Sequence, residues 1–135
     1  MSVKTLHILA SALVDGDATG GHICDLARSL MTSGADVRIY TDGPLERRDK
    51  DIRSISTRIH ASDYQPSADL TILEYACWHP LAERFREAQG ARVFWYHGVT
   101  PPALWGTDKD RDFLERSQVG TELACVLISQ LPAAH

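Results

Sequence analysis

This chain of 135 residues has few cysteines, no excess of positive charge and no long apolar run. Its three cysteines, Cys24, Cys77 and Cys125, include no CxxC pair, so neither a disulfide framework nor a cysteine-based zinc site is indicated, and we expect buried free thiols. No apolar run reaches the length of a membrane span, and no basic segment leads into an apolar N-terminal stretch. These absences favour a soluble, cytoplasmic protein.

The charge balance and the missing motifs exclude further classes of function. Lysine and arginine number 14 against 18 acidic residues, so nothing in the net charge of -4 attracts nucleic acid or an anionic membrane. Neither GxGxxG nor GK[ST] is present, and no local motif marks a Ser-His-Asp or Cys-His nucleophile. No two histidines have the spacing of metal ligands, so we predict no bound metal.

What the sequence does contain is the pattern of an α/β domain. Its residues are 44% apolar and 24% charged, which suits one domain with a substantial core. A strand is predicted at 5–10, followed by a glycine-rich turn, a helix at about 21–33 with apolar residues three and four apart, and a strand at 37–41. A strand, a helix and a strand in this order form a parallel pair with a right-handed crossover.

The rest of the chain continues this alternation. The mixed charges at 46–51 indicate a loop or a frayed helical turn, and strands are predicted within 52–59, at 69–74 and at 93–96. An amphipathic stretch separates the last two strands, and a further helix is predicted from about Asp108. We therefore expect a Rossmann-like, three-layer α/β/α fold with a mainly parallel sheet of about five strands.

Polar residues follow the last two predicted strands. The strand at 93–96 has the apolar composition of a buried strand, and the glycine and proline pair that follow it cannot continue it. His97 and Thr100 therefore lie at its carboxyl end, and Glu74 ends the preceding strand. Because ligands bind at the carboxyl edge of open α/β sheets, these three residues are predicted to face one site.

Gly20 and Gly21 follow the first strand, at the predicted start of a helix. Free backbone amides and the positive end of a helix dipole favour an anion such as phosphate at this place. Asp15 and Asp17 would repel a pyrophosphate seated deep in this loop, and glycine equally suits a tight turn from strand to helix. Both interpretations stay open on these residues alone.

Other side chains are placed near the same edge. His22, at the start of the first helix, suits either a hydrogen bond to a substrate hydroxyl or packing. Asp42 ends the second strand, where a dinucleotide-binding domain keeps a carboxylate for a ribose, but Asp-Gly-Pro is also ordinary turn chemistry. Three tryptophans could line a site for a sugar or an aromatic ligand, although aromatic residues in strands and loop starts more often belong to the core: Trp78, Trp95 and Trp105.

With these residues in place, most of the chain resembles the N-terminal half of a GT-B glycosyltransferase, in particular the retaining family 4 group. The resemblance rests on the segments GDATGGH at 16–22, GADVRIYT at 34–41 and, above all, FWYHGVTPP at 94–102. The last segment is similar to the YHNxTPP segment of some family members, with Gly98 where asparagine is frequent.

The resemblance implies two Rossmann-like domains that face each other across a cleft. This chain would be the first, on the acceptor side, and we expect the complete protein to continue past His135 into a nucleotide-sugar domain. His97 would contact the donor sugar near the reacting carbon as the catalytic residue, and the loop of Gly20 and Gly21 would approach the donor diphosphate. Three residues would line the acceptor side: His22, Glu74 and Thr100.

The same resemblance implies the reaction, which is transfer of a sugar from a nucleotide sugar to an acceptor hydroxyl. Such enzymes generally work without a bound metal, and the nucleotide sugar is a substrate, so no cofactor is expected. The implied partners are the donor, the acceptor and the second domain, without which this piece would be inactive. Association of the complete enzyme with a membrane surface is compatible with this interpretation.

Two other classes of function stay open. The chain could be a stand-alone Rossmann-like module that binds a nucleotide or dinucleotide, with Asp42 and the glycine loop as its support. It could also be an interaction domain without enzymatic activity. A homodimer is compatible with each of these accounts, so the oligomeric state does not separate them.

Overall fold

The computed structural model describes residues 3–97 together with Val119 and Glu122. The strands in this part of the chain are β1 (Thr5–Ala10), β2 (Leu13–Val14), β3 (Asp36–Thr41), β4 (Leu45–Glu46), β5 (Ser56–Arg58), β6 (Leu70–Tyr75) and β7 (Ala91–Tyr96). The helices are α1 (Ala18–Thr32), α2 (Lys50–Ile55) and α3 (Pro80–Arg84), with short 3-10 turns at Ala61–Asp63 and Phe85–Glu87.

Five of these strands form one parallel sheet in the order β5-β3-β1-β6-β7, and β2 pairs with β4 in a small parallel sheet of its own. From β1 the chain moves outward through β3 and β5, then crosses to β6 and β7 on the other side of β1. The strand order therefore reverses between β1 and β6, which makes this the topological switch point of the sheet. The predicted Rossmann-like, three-layer α/β fold is confirmed.

Apolar cores cover both faces of the sheet because side chains alternate along each strand. On one face, Ile8 of β1 packs in a cluster with Ile23 of α1. On the other face, Leu9 of β1 packs in a cluster with Leu81 of α3 and Phe85. Since β1 is buried on both faces, its sequence is a nearly continuous apolar run.

Helix α1 begins three residues before its predicted start because Asp17 caps it. The Asp17 carboxylate accepts a hydrogen bond from the Gly20 amide at 3.2 Å, and the Asp17 carbonyl accepts one from the Gly21 amide at 2.9 Å. An aspartate in this position satisfies an amide of the first helical turn. Gly20 and Gly21 therefore lie within the first turns of the helix, whereas the sequence predicted that this pair opens it.

Strand β7 differs from the buried strand that its composition predicted. Among the described strands it is an edge strand, paired with β6. Val93, Trp95 and Tyr96 are exposed. Aromatic and β-branched residues suit any pleated strand, so composition did not distinguish an edge position from a central one.

The segment between β3 and β6 is partly as predicted. The strand expected within 52–59 is confirmed as β5, but the first half of that range belongs to α2, and the charged stretch 46–51 contains the start of that helix. Arg28 and Arg47 both donate hydrogen bonds to Asp49, the residue before α2, at 2.7 and 2.9 Å. These ionic contacts hold the segment against α1.

The last quarter of the chain contains several predicted features that the structure does not describe. Thr100, Trp105 and Cys125 lie outside the described residues. Of the helix predicted from about Asp108, only Val119 and Glu122 are described, and both are helical. Within the described part of the chain, every helix is too short or too polar to cross a membrane.

Candidate functional site

His22, Glu74 and His97 meet at the switch point of the sheet. His22 lies in α1, Glu74 lies in β6, and His97 directly follows β7. One nitrogen of each imidazole and one carboxylate oxygen lie within 4.8 Å of one another. The structure thus brings Glu74 and His97 to one edge of the sheet and adds His22, while the roles of the three residues stay predictions.

The register of β6 and β7 explains how this cluster forms. Glu74 is the register partner of Trp95, and residues two apart on a strand share a face, so His97 lies on the same face as Trp95. The His97 amide donates a hydrogen bond to the Tyr75 carbonyl at 2.8 Å, which extends the ladder past the end of β7. Helix α1 covers this face and supplies His22 from its first turns.

The Glu74 carboxylate lies between the two imidazole rings. Its side chain is 0% exposed, against 32% for His22 and 20% for His97. Oε1 of Glu74 lies 3.3 Å from Nε2 of His22, and Oε2 contacts Nε2 of His97. Burial of a carboxylate is costly unless the group is paired or hydrogen-bonded, and the His97 ring compensates this cost at Oε2.

Two buried atoms of the cluster have no hydrogen bond within the described part of the chain. They are Nε2 of His22 and Oε1 of Glu74, which face each other at 3.3 Å without the alignment of a hydrogen bond. Buried polar atoms in folded proteins nearly always have a partner. A pair without one, at the ligand-binding edge of a sheet, marks a place that can receive a ligand atom or an ion.

Trp95 forms one wall of the cluster. The centroid of its ring lies 4.5 Å from that of His22, and it stacks at 15° on His97 with centroids 6.4 Å apart. The sequence favoured a core position for the tryptophans, but Trp95 is 42% exposed. A half-exposed indole beside polar groups offers a flat apolar surface to a ligand.

A cleft of about 470 Å³ opens at the same edge of the sheet, where the chain leaves β1, β3 and β6. Its lining includes Arg58, Cys77 and Trp78. Trp78 also packs against the core, so it fits both interpretations of the tryptophans. The volume suits a small molecule, and the lining offers a cation and an aromatic ring to bind it.

A close approach of two backbones shapes the floor of this cleft. The Gly43 amide donates a hydrogen bond to the Ser11 carbonyl at 2.8 Å, and a Cβ at Gly43 would lie 2.3 Å from that carbonyl oxygen. No side chain fits in this space, so glycine is required for the loops after β1 and β3 to meet.

Asp42 is engaged in a structural contact at the edge of the cleft. One oxygen of its largely buried carboxylate accepts a hydrogen bond from the Leu81 amide at 2.7 Å and contacts Nδ1 of His79 at 3.2 Å. It therefore fixes the start of α3 to the end of β3. Binding of a ribose by Asp42, as in a dinucleotide-binding domain, would have to disrupt these contacts.

Gly20 and Gly21 have amides that already bond to Asp17. An anion at the Gly20 amide would therefore have to displace the Asp17 carboxylate. The space beside Gly21 is open, since a Cβ at this position would meet no described atom within 4 Å, so a ligand can approach the backbone there. The contact of these glycines with a diphosphate stays a prediction.

The described cysteines show no sign of a catalytic role. Cys24 and Cys77 are free thiols, and Cys24 is buried in α1. Burial raises the pKa of the Cys24 thiol, which disfavours the reactive thiolate. The expectation of a buried thiol is met at Cys24, whereas Cys77 is only partly buried at the cleft.

The sequence alone did not indicate the set of three possible metal ligands. His22, Glu74 and His97 come from three elements far apart in the chain, so no local spacing joins them. A signal was nevertheless present, because Glu74 lies near the end of β6, His97 directly follows β7, and His22 lies in the first turns of the helix that follows β1 and β2. Comparison of the chain with protein-family models, with curated proteins and with solved structures gave no match.

Proposed function

We propose that this chain is the acceptor-side domain of a GT-B glycosyltransferase, which transfers a sugar from a nucleotide-sugar donor to an acceptor hydroxyl with His97 as a catalytic residue. One observation carries the proposal. The Glu74 carboxylate lies between the imidazoles of His22 and His97 at the switch point, where α/β domains bind their ligands. The resemblance of the segments at 16–22 and 94–102 supplies the reaction type.

Glu74 acts in this proposal as a positioning residue for His97. When Nε2–H of His97 donates a hydrogen bond to the carboxylate, the neutral ring keeps a lone pair on Nδ1. Nδ1 then accepts a hydrogen bond from a sugar hydroxyl, and in the protonated ring it donates one instead. In both states the buried carboxylate fixes the orientation of the ring.

The other residues of the edge take complementary roles in the proposal. A retaining transfer places negative charge on the leaving diphosphate while the acceptor hydroxyl approaches the same face of the sugar. The N-terminal end of α1, near Gly21, favours the diphosphate through its dipole. Trp95 offers its indole to the sugar ring, and the cleft lined by Arg58 and Trp78 receives the acceptor.

The proposal is tested with the protein produced from its whole reading frame. It is incubated with a panel of nucleotide sugars and simple hydroxyl acceptors, and release of nucleoside diphosphate is measured. We expect release that depends on both the donor and the acceptor. Absence of any acceptor-dependent release over the panel would contradict the proposal.

A stand-alone dinucleotide-binding module is the alternative, and the contacts of Asp42 weigh against it. Calorimetric titration of the 135-residue chain with NAD and with common nucleotides separates the two accounts. Tight binding by this chain would favour the module. Weak or undetectable binding is expected of an acceptor-side domain, because most donor contacts would come from the second domain.

A further inference from the structure

We propose that His22, Glu74 and His97 bind a divalent transition-metal ion, with Zn²⁺ as the best fit, and leave one coordination position open. The open position would take water or an oxygen of an anionic ligand such as phosphate. This inference does not rest on the proposed sugar transfer, because it concerns only the donor atoms of the three side chains.

The donor set has the chemistry of a metal site with an open position. Two imidazole nitrogens and one carboxylate oxygen bind zinc in catalytic sites, which use three protein ligands and an exchangeable fourth. Imidazole also suits other transition ions, whereas Mg²⁺ and Ca²⁺ prefer a shell made of oxygens. The two histidines therefore favour a transition ion over the alkaline-earth ions.

The geometry is close to what such an ion requires. The ligand atoms lie within 4.8 Å of one another. A tetrahedral ion with bonds of about 2.0 to 2.1 Å holds its ligand atoms roughly 3.3 Å apart. Oε1 of Glu74 already lies 3.3 Å from Nε2 of His22. A small rotation of the His97 ring away from its contact with Oε2 would place its Nε2 at a similar distance.

The contacts of the metal-free cluster leave room for this ion. A carboxylate that only accepted hydrogen bonds from two imidazoles would satisfy both rings, yet Nε2 of His22 and Oε1 of Glu74 have no hydrogen bond among the described residues. An ion between them would satisfy both atoms and would neutralise the charge of a fully buried side chain. Each ring would then carry its proton on Nδ1.

The test is a titration of the 135-residue chain, stripped of metal by a chelator, with Zn²⁺ in competition with a chromophoric chelator. We expect about one ion per chain. His22→Ala and His97→Ala should each weaken binding by at least about 10-fold, since loss of a direct ligand exceeds the effect of losing an outer partner. His60→Ala is the matched control, because His60 is exposed and bonds to Ser62 outside the cluster.

Binding of Co²⁺ identifies the ligands by a second observable. Nitrogen and oxygen ligands give visible absorption without the near-ultraviolet charge-transfer band of a thiolate. We expect no such band, and its presence would place the ion on a cysteine and overturn the proposal. Zn²⁺ should also raise the melting temperature of the wild-type chain and of His60→Ala, and should raise it less in the two cluster variants.

Other outcomes decide the proposal equally clearly. Failure of the wild-type chain to bind Zn²⁺, or equal binding by all variants, would overturn it. Circular dichroism of each variant shows whether it is folded, and a variant that does not fold is replaced by the Glu74→Gln chain in the same titration. No nucleotide sugar is present, so the metal site and the sugar-transfer activity can fail independently.

Discussion

Oε1 of Glu74 lies 3.3 Å from Nε2 of His22, so a buried strand residue and a helix residue face each other at the carboxyl edge of the sheet. The other oxygen of the same carboxylate contacts His97. Glu74 therefore joins α1, β6 and the end of β7 in one polar cluster.

Replacement of Glu74 by glutamine should change the tautomer of a histidine in the metal-free chain. The Glu74 carboxylate contacts Nε2 of His97 and lies 3.3 Å from Nε2 of His22, so its negative charge favours a proton on Nε2 of both rings, whereas a glutamine side chain has one accepting oxygen and one donating nitrogen. We therefore expect both rings to carry the proton on Nε2 in the wild type, and one ring to carry it on Nδ1 in Glu74→Gln. Long-range proton-nitrogen NMR of the histidines measures this, and identical tautomers in both chains would contradict the positioning role.

Gly21→Ala should raise stability and lower sugar transfer. The open space beside Gly21 accommodates a methyl group, and alanine in a helix is favoured over glycine by about 0.5 to 1 kcal/mol. The same methyl group would obstruct a diphosphate that approaches the backbone. The contrasting variant is Gly34→Ala, which should destabilise because Gly34 has φ of +98°. The free energy of unfolding in denaturant and the turnover of sugar transfer are measured for each variant. Unchanged turnover of Gly21→Ala would contradict the contact of Gly21 with the diphosphate.

Asp42→Ala should destabilise the chain without affecting the binding of NAD. The variant loses the acceptor of the Leu81 amide at the start of α3, a loss of about 1 to 2 kcal/mol by analogy with helix caps. Asp25→Ala is the control, because the Asp25 side chain is exposed and its contact with Arg28 is long, at 3.8 Å. Urea unfolding measures the loss of stability, and calorimetric titration measures the binding of NAD. A specific loss of NAD binding would instead support the dinucleotide-binding module.

His7 should make the fold sensitive to mild acid. Burial lowers the pKa of His7 below its ordinary 6.5, and its ring contacts the Tyr64 hydroxyl at 2.8 Å. The unfolded chain then binds the proton more readily, so stability is full above pH 6.5 and falls as the pH drops towards the folded pKa. His7→Gln keeps a polar contact but does not titrate.

The free energy of unfolding, measured in urea between about pH 8 and pH 5, tests this dependence. The decrease in stability should be smaller in His7→Gln than in the wild type or in His60→Ala. Asp49 and Asp69 do not contribute to the loss of stability in this pH range. Their pKa values are lowered by hydrogen bonds from arginines and from backbone amides respectively, so their contribution is lost only as the pH falls below 3.8. Equal slopes in all three chains would show that His7 is not the group responsible.

The fold could be predicted from the sequence because its strongest signals are local. The apolar runs of β1 and β6 and the periodic apolar residues of α1 reflect burial that each segment carries in its own sequence. The edge position of β7 and the ionic contacts before α2 could not be predicted. They depend on which segments become neighbours, and residue composition does not record this.

The candidate site could also be predicted only in part. Glu74 and His97 followed from their positions at strand ends, because parallel strands bring those ends together. The contact with His22 depends on the rotation of α1 about its axis, which the Asp17 cap and the packing of Ile23 determine. The paired state of Asp42 likewise depends on where α3 begins.

The most direct test of the account is the turnover of sugar transfer by the protein from its whole reading frame with His97→Ala, beside wild type and His60→Ala. Loss of a hydrogen bond that develops in the transition state costs on the order of 100-fold in turnover. We predict a loss of this size for His97→Ala and wild-type turnover for His60→Ala. Wild-type turnover in a folded His97→Ala protein would contradict the assignment of His97 as the catalytic residue.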